Sequence, residues 1–165
     1  GKGTTFEGGV RVPCVMWAPG RIPAGTECHE LMGTIDLLPT IAALTGTPLP
    51  ADQKIDGLNA SDLLTQNAKS PRNEFLYYTS RGEIEGLRKG KWKLLVKKKR
   101  KPRNAGKNWK APDPEILLFD LIKDMGEKTN LAKENPKTVK DLSARMNELD
   151  SEITKNARMP WHKTK

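Results

Sequence analysis

The chain has 165 residues, 36% of them hydrophobic and 30% charged. That composition suits one ordinary domain or a small domain with an appendage, and it is too apolar for a disordered chain. Lys and Arg number 29 against 20 Asp and Glu, a net charge of +9, but 12 of the cations fall between Arg88 and Pro112, where there is no carboxylate. The remaining 17 cations and 20 carboxylates leave the rest of the chain at −3, so the basic character belongs to one segment. No apolar run approaches the roughly 20 residues needed to span a bilayer. Cys14 and Cys28 allow at most one bridge, which excludes a disulfide scaffold. The favoured reading is two partly buried thiols, with a bridge as the open alternative. The opening Gly1-Lys2-Gly3-Thr4-Thr5, without an initiator Met, is expected to be the interior of a longer chain.

In chain order, Val10 to Trp17 is apolar nearly throughout. It predicts a buried strand covered on both faces, as in the parallel sheet of an α/β protein. Pro13 weakens that assignment because proline donates nothing to a ladder. Cys28 to Met32 reads as a second short strand. Asp36 is placed to cap a helix over about Leu37–Leu44 by accepting a first-turn amide. Pro39 sits in that first turn, and Gly46 supplies the left-handed stop. Leu37, Leu38, Ile41 and Leu44 form its apolar face. Residues 51–72 read as a connection, punctuated by Asp56-Gly57 and Pro71, with one apolar-faced turn at Leu63-Leu64.

Beyond residue 73 the pattern changes. Glu74–Thr79, Ile84–Arg88 and Trp92–Val96 read as short strands, with Lys89-Gly90-Lys91 as the hairpin turn between the last two. Glu115–Leu121 is a fourth strand beyond the basic loop. Short links between consecutive strands predict an antiparallel sheet. Val139, Leu142, Met146, Leu149 and Ile153 recur at helical spacing over 136–155, after Asn135 as cap and Pro136 at the first helical position. That helix is expected to lie across the sheet. Residues 157–165, with Trp161 and His162, form a tail without pattern.

Few residues offer chemistry. Gly-Lys-Gly-Thr-Thr is not a nucleotide-binding loop, because Gly3 separates the lysine from the threonine. A lysine between two glycines still suits an oxyanion: small neighbours permit close approach, and the ammonium is a compact point charge. A flexible surface loop explains the same composition. Glu7 and Arg11 flank Gly8-Gly9 and are expected to pair across the turn. His29 reads as a structural histidine and His162 as a solvated one. No acidic cluster has metal spacing, and no Ser-His-Asp arrangement is present. Lys97, Lys98, Lys99, Arg100, Lys101 and Arg103, with Trp92 and Trp109 nearby, form a candidate polyanion contact. A solvated, self-repelling loop is the plainer reading of the same residues.

Taken in order, these segments resemble the type I sulfatases, the arylsulfatase family of the alkaline-phosphatase-like superfamily. Gly1-Lys2-Gly3-Thr4-Thr5-Phe6-Glu7-Gly8-Gly9-Val10-Arg11-Val12-Pro13 is similar to a late motif of that family. Asp36-Leu37-Leu38-Pro39-Thr40, Asp56-Gly57, Leu87-Arg88-Lys89-Gly90-Lys91-Trp92-Lys93-Leu94, and Leu118-Phe119-Asp120-Leu121 with Asp124, Glu127, Asn130 and Leu131 follow in the family's order.

The resemblance implies a fold running from α/β to α+β. Residues 1–50 would be the last strand and helix of a large α/β domain. Residues 73–156 would be a small four-stranded antiparallel subdomain packed by helix 136–155. It further implies a sulfuric ester hydrolase working through a formylglycine nucleophile and a calcium ion, with Lys2 contacting the sulfate oxygens. Neither Cys14 nor Cys28 has a proline two residues on, so the formylglycine motif C/S-x-P-x-R is not in this sequence. The nucleophile, calcium and their ligands are expected upstream, and the isolated chain is expected to bind no cofactor and to be inactive.

The expected partner is a sulfate ester, with a sulfated polysaccharide as an extension. Nucleic acid is not expected. A noncatalytic polyanion-binding module over 88–112 is the alternative. Strand 10–17, cut from its neighbours, is expected to pack unusually or to drive self-association. By resemblance the full-length protein is periplasmic or secreted.

Overall fold

The computed structural model describes residues 1–157 except 103, 105 and 107. Two compact units form: Gly1–Arg11 together with the chain from Glu74 onward, and Val12–Asn73. The first eleven residues group with the chain beyond residue 73. They do not group with 12–50.

The first unit is built on four strands, β1 Glu74–Tyr78, β2 Ile84–Lys89, β3 Trp92–Lys97 and β4 Glu115–Asp120, in the order 1-2-3-4. Every neighbour is antiparallel. Lys89 pairs with Trp92, leaving a two-residue turn in which Gly90 has φ +55°. The register slips between Tyr77 and Tyr78. Gly86 lies where β2 and β3 approach closely, since a Cβ there would stand 2.6 Å from the Leu94 carbonyl oxygen.

Helix α4, Pro136–Lys155, covers one face. Leu87, Leu94, Leu118, Leu142 and Met146 form the core between them, with Val139 and Leu149 at its margin. Ile153, the last member of the predicted stripe, is exposed. Asn135 does not cap the helix with its side chain: its Nδ2 donates back to the Leu131 carbonyl. Glu74 and Arg145 tie β1 to α4, and the Arg145 guanidinium holds the Glu74 carboxyl below its ordinary range. Leu95, Phe119 and Leu121 form a second core on the opposite face, against Phe6. Coverage on both faces explains the unbroken runs Leu94-Leu95 and Leu117-Leu118-Phe119.

The second unit holds a 3-10 turn, Thr34–Asp36, and two helices, α2 Leu37–Thr45 and α3 Ser61–Gln66. (One helical turn, α1 Glu7–Val10, belongs to the first unit.) Gly46 ends α2 at φ +69°, as its position predicts. Asp36 does not cap α2. Its carboxylate accepts the Gly33 and Leu58 amides at 2.8 and 2.7 Å and pairs with Arg72, whose Nε stands at 2.7 Å. Burial pushes the Asp36 carboxyl up. The hydrogen bonds from Arg72, Leu58 and Gly33 outweigh that and hold it below its ordinary value.

Several expectations for this unit are corrected. Residues 11–17 and 28–32 form no strand, and Val12, Val15 and Trp17 are exposed. A strand exists through its partners, and none pairs with these residues in the described sheet. The predicted apolar face of α2 is turned outward, with Leu37, Leu38 and Ile41 exposed. The buried side carries Pro39, Thr40 and Ala42 instead. Thr40 Oγ1 donates to the Asp36 carbonyl at 2.6 Å and accepts the Ala60 amide at 2.9 Å. Cys14 and Cys28 are free and exposed, neither bridged nor partly buried. No described helix is long and apolar enough to cross a membrane.

Candidate functional site

Lys2 sits in a tight turn. Gly3 takes φ +86°, a region L side chains rarely occupy. Thr4 closes the turn by donating its backbone N–H and its Oγ1 to the Gly1 carbonyl, at 3.3 and 2.8 Å. Helix α1, Glu7–Val10, folds directly over it. Gly9 makes that possible: a Cβ there would lie 2.2 Å from the Thr4 carbonyl oxygen. The expected tight structure at Gly8-Gly9 is thus present, but it starts a helical turn and leads into no strand.

Three side chains anchor this segment to the sheet. Thr5 Oγ1 donates to Glu85 Oε2 at 2.5 Å. Phe6 packs on Phe119 with ring centroids 6.2 Å apart. Glu7 is buried, and its Oε1 stands 2.8 Å from Lys93 Nζ. Lys93 also stands 2.9 Å from Glu127 Oε1 and 4.7 Å from the centre of the Tyr77 ring, and its side chain is 0% exposed. Glu127 Oε2 accepts the Glu7 backbone N–H. Burial, then the Glu7 and Glu127 charges, push the Tyr77 hydroxyl well above its ordinary range. Glu7 and Arg11, expected to pair, do not: Glu7 is taken by Lys93, and Arg11 reaches Met125 Sδ.

Lys2 itself is exposed, and no carboxylate pairs with it among the described residues. It is a cation fixed at its base and open at its tip, which suits an oxyanion. Of the predicted basic run, Lys97 is half-buried, 3.5 Å from Glu85 and 4.5 Å above the Phe6 ring. Lys98, Lys99, Arg100 and Lys101 are exposed and meet no carboxylate among the described residues. Arg103, Lys107 and the tail with Trp161 and His162 lie outside the described residues. His29 is exposed beside Glu27, so it is not a packed structural histidine.

Sequence reasoning missed Lys93, Glu7 and Glu127 as a group. The alternation along β3 held the signal: Trp92, Leu94 and Val96 take one face, so Lys93 shares the other with Leu95. No group of three or more His, Cys, Asp or Glu among the described residues is placed to hold a metal ion, so these residues do not fit a calcium site.

By its similarity to known proteins the chain is the C-terminal region of a sulfatase. A family model described as N-sulphoglucosamine sulphohydrolase, C-terminal, matches residues 1–154, and the chain belongs to that family. Human arylsulfatase A is 42% identical over 144 residues, covering 79% of this chain and 28% of the relative. The crystal structure of the sulfatase PsFucS1 from Pseudoalteromonas sp. is 27% identical, with a TM-score of 0.77, over 97% of this chain and 33% of that one. A structure described with the metabolism of multiple glycosaminoglycans by Bacteroides thetaiotaomicron is 27% identical, with a TM-score of 0.53, over 70% of this chain and 24% of that one. The chain therefore spans about a third or less of the length of these relatives.

Proposed function

We propose that this chain is the C-terminal part of a sulfuric ester hydrolase, in which Lys2 contributes a fixed cation to the sulfate oxygens. The carrying observation is the turn around Lys2. Its backbone is held by Gly3, Thr4 and Gly9, its flank is anchored on the sheet, and its ammonium meets no carboxylate among the described residues. Such a cation stabilises charge that grows on oxygen as a sulfate ester breaks, because it needs no reorganisation at that moment. In this proposal the formylglycine nucleophile and calcium lie outside these residues, and the chain alone does not turn over sulfate esters.

The substrate class is extended to sulfated polysaccharides. The glycosaminoglycan relative supports that, as do the exposed Lys98, Lys99, Arg100 and Lys101, which meet no carboxylate among the described residues. A noncatalytic polyanion-binding module is the second reading, and the same four residues favour it. The exposed apolar stretch 10–17 is proposed to mediate self-association.

The test uses the protein encoded by the whole reading frame that contains this chain, assayed on an aryl sulfate. Turnover is expected, and Lys2→Ala is expected to lower it about a hundredfold, the usual scale for removing one oxyanion contact. Turnover unaffected by that substitution would remove Lys2 from the site. No turnover on any sulfate ester would leave the polyanion module as the reading. Hydrolysis of an aryl sulfate by the 165-residue chain alone would show that the nucleophile is within it.

A further inference from the structure

We propose that Lys93, Glu7 and Glu127 are positioning residues for the lysine turn, so that the small sheet sets where the Lys2 ammonium stands. The inference rests on the reading of Lys2 as the sulfate-contacting cation.

The cluster is too costly to be incidental filling. Lys93 is fully buried in a strand whose same-face neighbour is Leu95, and a buried ammonium persists only where it is closely paired. Two carboxylates meet it, from residues 86 positions before and 34 positions after it in the chain, at 2.8 and 2.9 Å. Their own side chains are only 7% and 3% exposed. Glu127 reaches the cluster from a left-handed backbone, φ +53°, a conformation disfavoured for a residue with a side chain. The tight turn before it supports that conformation: Asp124 accepts the Lys128 and Thr129 amides at 2.7 and 2.8 Å. Among the described residues Glu127 Oε1 has no hydrogen bond apart from the ion pair, while Oε2 takes the Glu7 amide.

A residue strained in its backbone and buried in its side chain thus grips the main chain five residues beyond Lys2. Lys93 grips the side chain of that same residue. From Glu7 back to Lys2 the path is short and stiff. Phe6 is packed, Thr5 is bonded to Glu85, and Thr4 is closed on Gly1 beneath Gly9. A shift at Glu7 is therefore transmitted to the turn. Lys93 and Lys2 are both lysines on one unit, but one is enclosed and the other open. The enclosed one fixes the open one.

The test has two arms. In the first, amide hydrogen exchange is followed in the 165-residue chain, unsubstituted and with Lys93→Met or Glu127→Gln. Lys93→Met is expected to speed exchange at Thr4, Glu7 and Gly9 at least tenfold while Leu87, Leu94 and Leu118 keep their protection. Glu127→Gln keeps the side chain's shape and leaves Lys93 one carboxylate, so it guards against global unfolding. It is expected to speed exchange at Glu7 at least threefold. Unchanged exchange over residues 3–11, or loss of protection in the sheet to the same degree, overturns the proposal.

In the second arm, the whole reading frame's protein is assayed on an aryl sulfate. Lys93→Met is expected to lower kcat/KM at least tenfold alone, and to lower it no further once Lys2→Ala is present. Effects that multiply would show that Lys93 acts independently of Lys2 and overturn the proposal. If the unsubstituted protein shows no turnover, the sulfatase reading fails, and the exchange arm still decides whether the cluster holds the turn.

Discussion

Asp36→Asn is the sharpest test of the second unit. Asp36 is 1% exposed, and its carboxylate binds two backbone amides and the Arg72 guanidinium, with Arg72 Nη2 at 2.5 Å. Arg72 also donates to the Asp56 carbonyl, so one ion pair joins residues 33–36, 56–58 and 72. Asparagine keeps the shape but removes the charge that faces the guanidinium, whose side chain is only 11% exposed. Breaking a buried pair from one side costs about 3–5 kcal/mol. A unit of roughly sixty residues has about 3–9 kcal/mol of stability in total. The substitution should therefore consume most of it.

The pH dependence follows from the same geometry. Because the folded Asp36 carboxyl is held below its ordinary value of 3.8, its contribution is complete above that value and is lost as pH falls through the folded one. Urea unfolding at pH 7 and pH 3, followed by amide exchange at Leu58, measures both effects. A loss below about 1 kcal/mol at pH 7 would refute the reasoning. So would an acid sensitivity of that unit unchanged in Asp36→Asn.

Three other outcomes are expected. Leu118 is 0% exposed in the main core, so Leu118→Ala should cost about 2–5 kcal/mol in the melting of the sheet unit; a cost under about 1 kcal/mol would mean the α4 face is not packed as described. Replacing Lys98, Lys99, Arg100 and Lys101 by serine should abolish salt-dependent retention on a heparin-like chain, because screened contacts are what salt removes; unchanged retention would take the polyanion away from this loop. Trp17→Ser with Leu38→Ser should weaken concentration-dependent sedimentation, since both side chains are exposed apolar surface; an unsubstituted chain that stays monomeric at high concentration would remove self-association altogether.

The sheet and α4 were legible because their patterns are local. The short apolar segments of β1 to β4 and the stripe from Val139 to Leu149 are each written within one element, and the turn at Gly90 lies between adjacent strands. The errors fell where an element depends on distant chain. An apolar run such as Val10–Trp17 records that the residues suit burial. It does not record what buries them, and no strand of the described sheet pairs with them. The outward face of α2 is the same case: Leu37, Leu38 and Ile41 carry the apolar signal, while Thr40 is buried because Asp36 and Ala60 supply its hydrogen bonds. At the site, Lys2 was legible from its glycines. Glu7, Lys93 and Glu127 were not grouped, since only the folded chain brings them within 3 Å of one ammonium.

The basic segment looks different once its partners are known. Lys89 faces Glu74 at 3.5 Å, Lys91 faces Asp120 at 2.9 Å, Lys93 is enclosed by two carboxylates, and Lys97 faces Glu85. The sheet and its hairpin turn thus pair these cations with carboxylates that sequence alone assigns to a different, net acidic part of the chain. Among the described residues, Lys98 to Lys101 beyond the end of β3, Lys110, and Lys2 on its turn are exposed and meet no carboxylate. The run of cations is therefore two populations. One holds the sheet and its lysine turn together, and is insensitive to salt to the extent that it is buried. The other is exposed and screened, so raising ionic strength should release a polyanion from the loop long before it loosens the turn that carries Lys2.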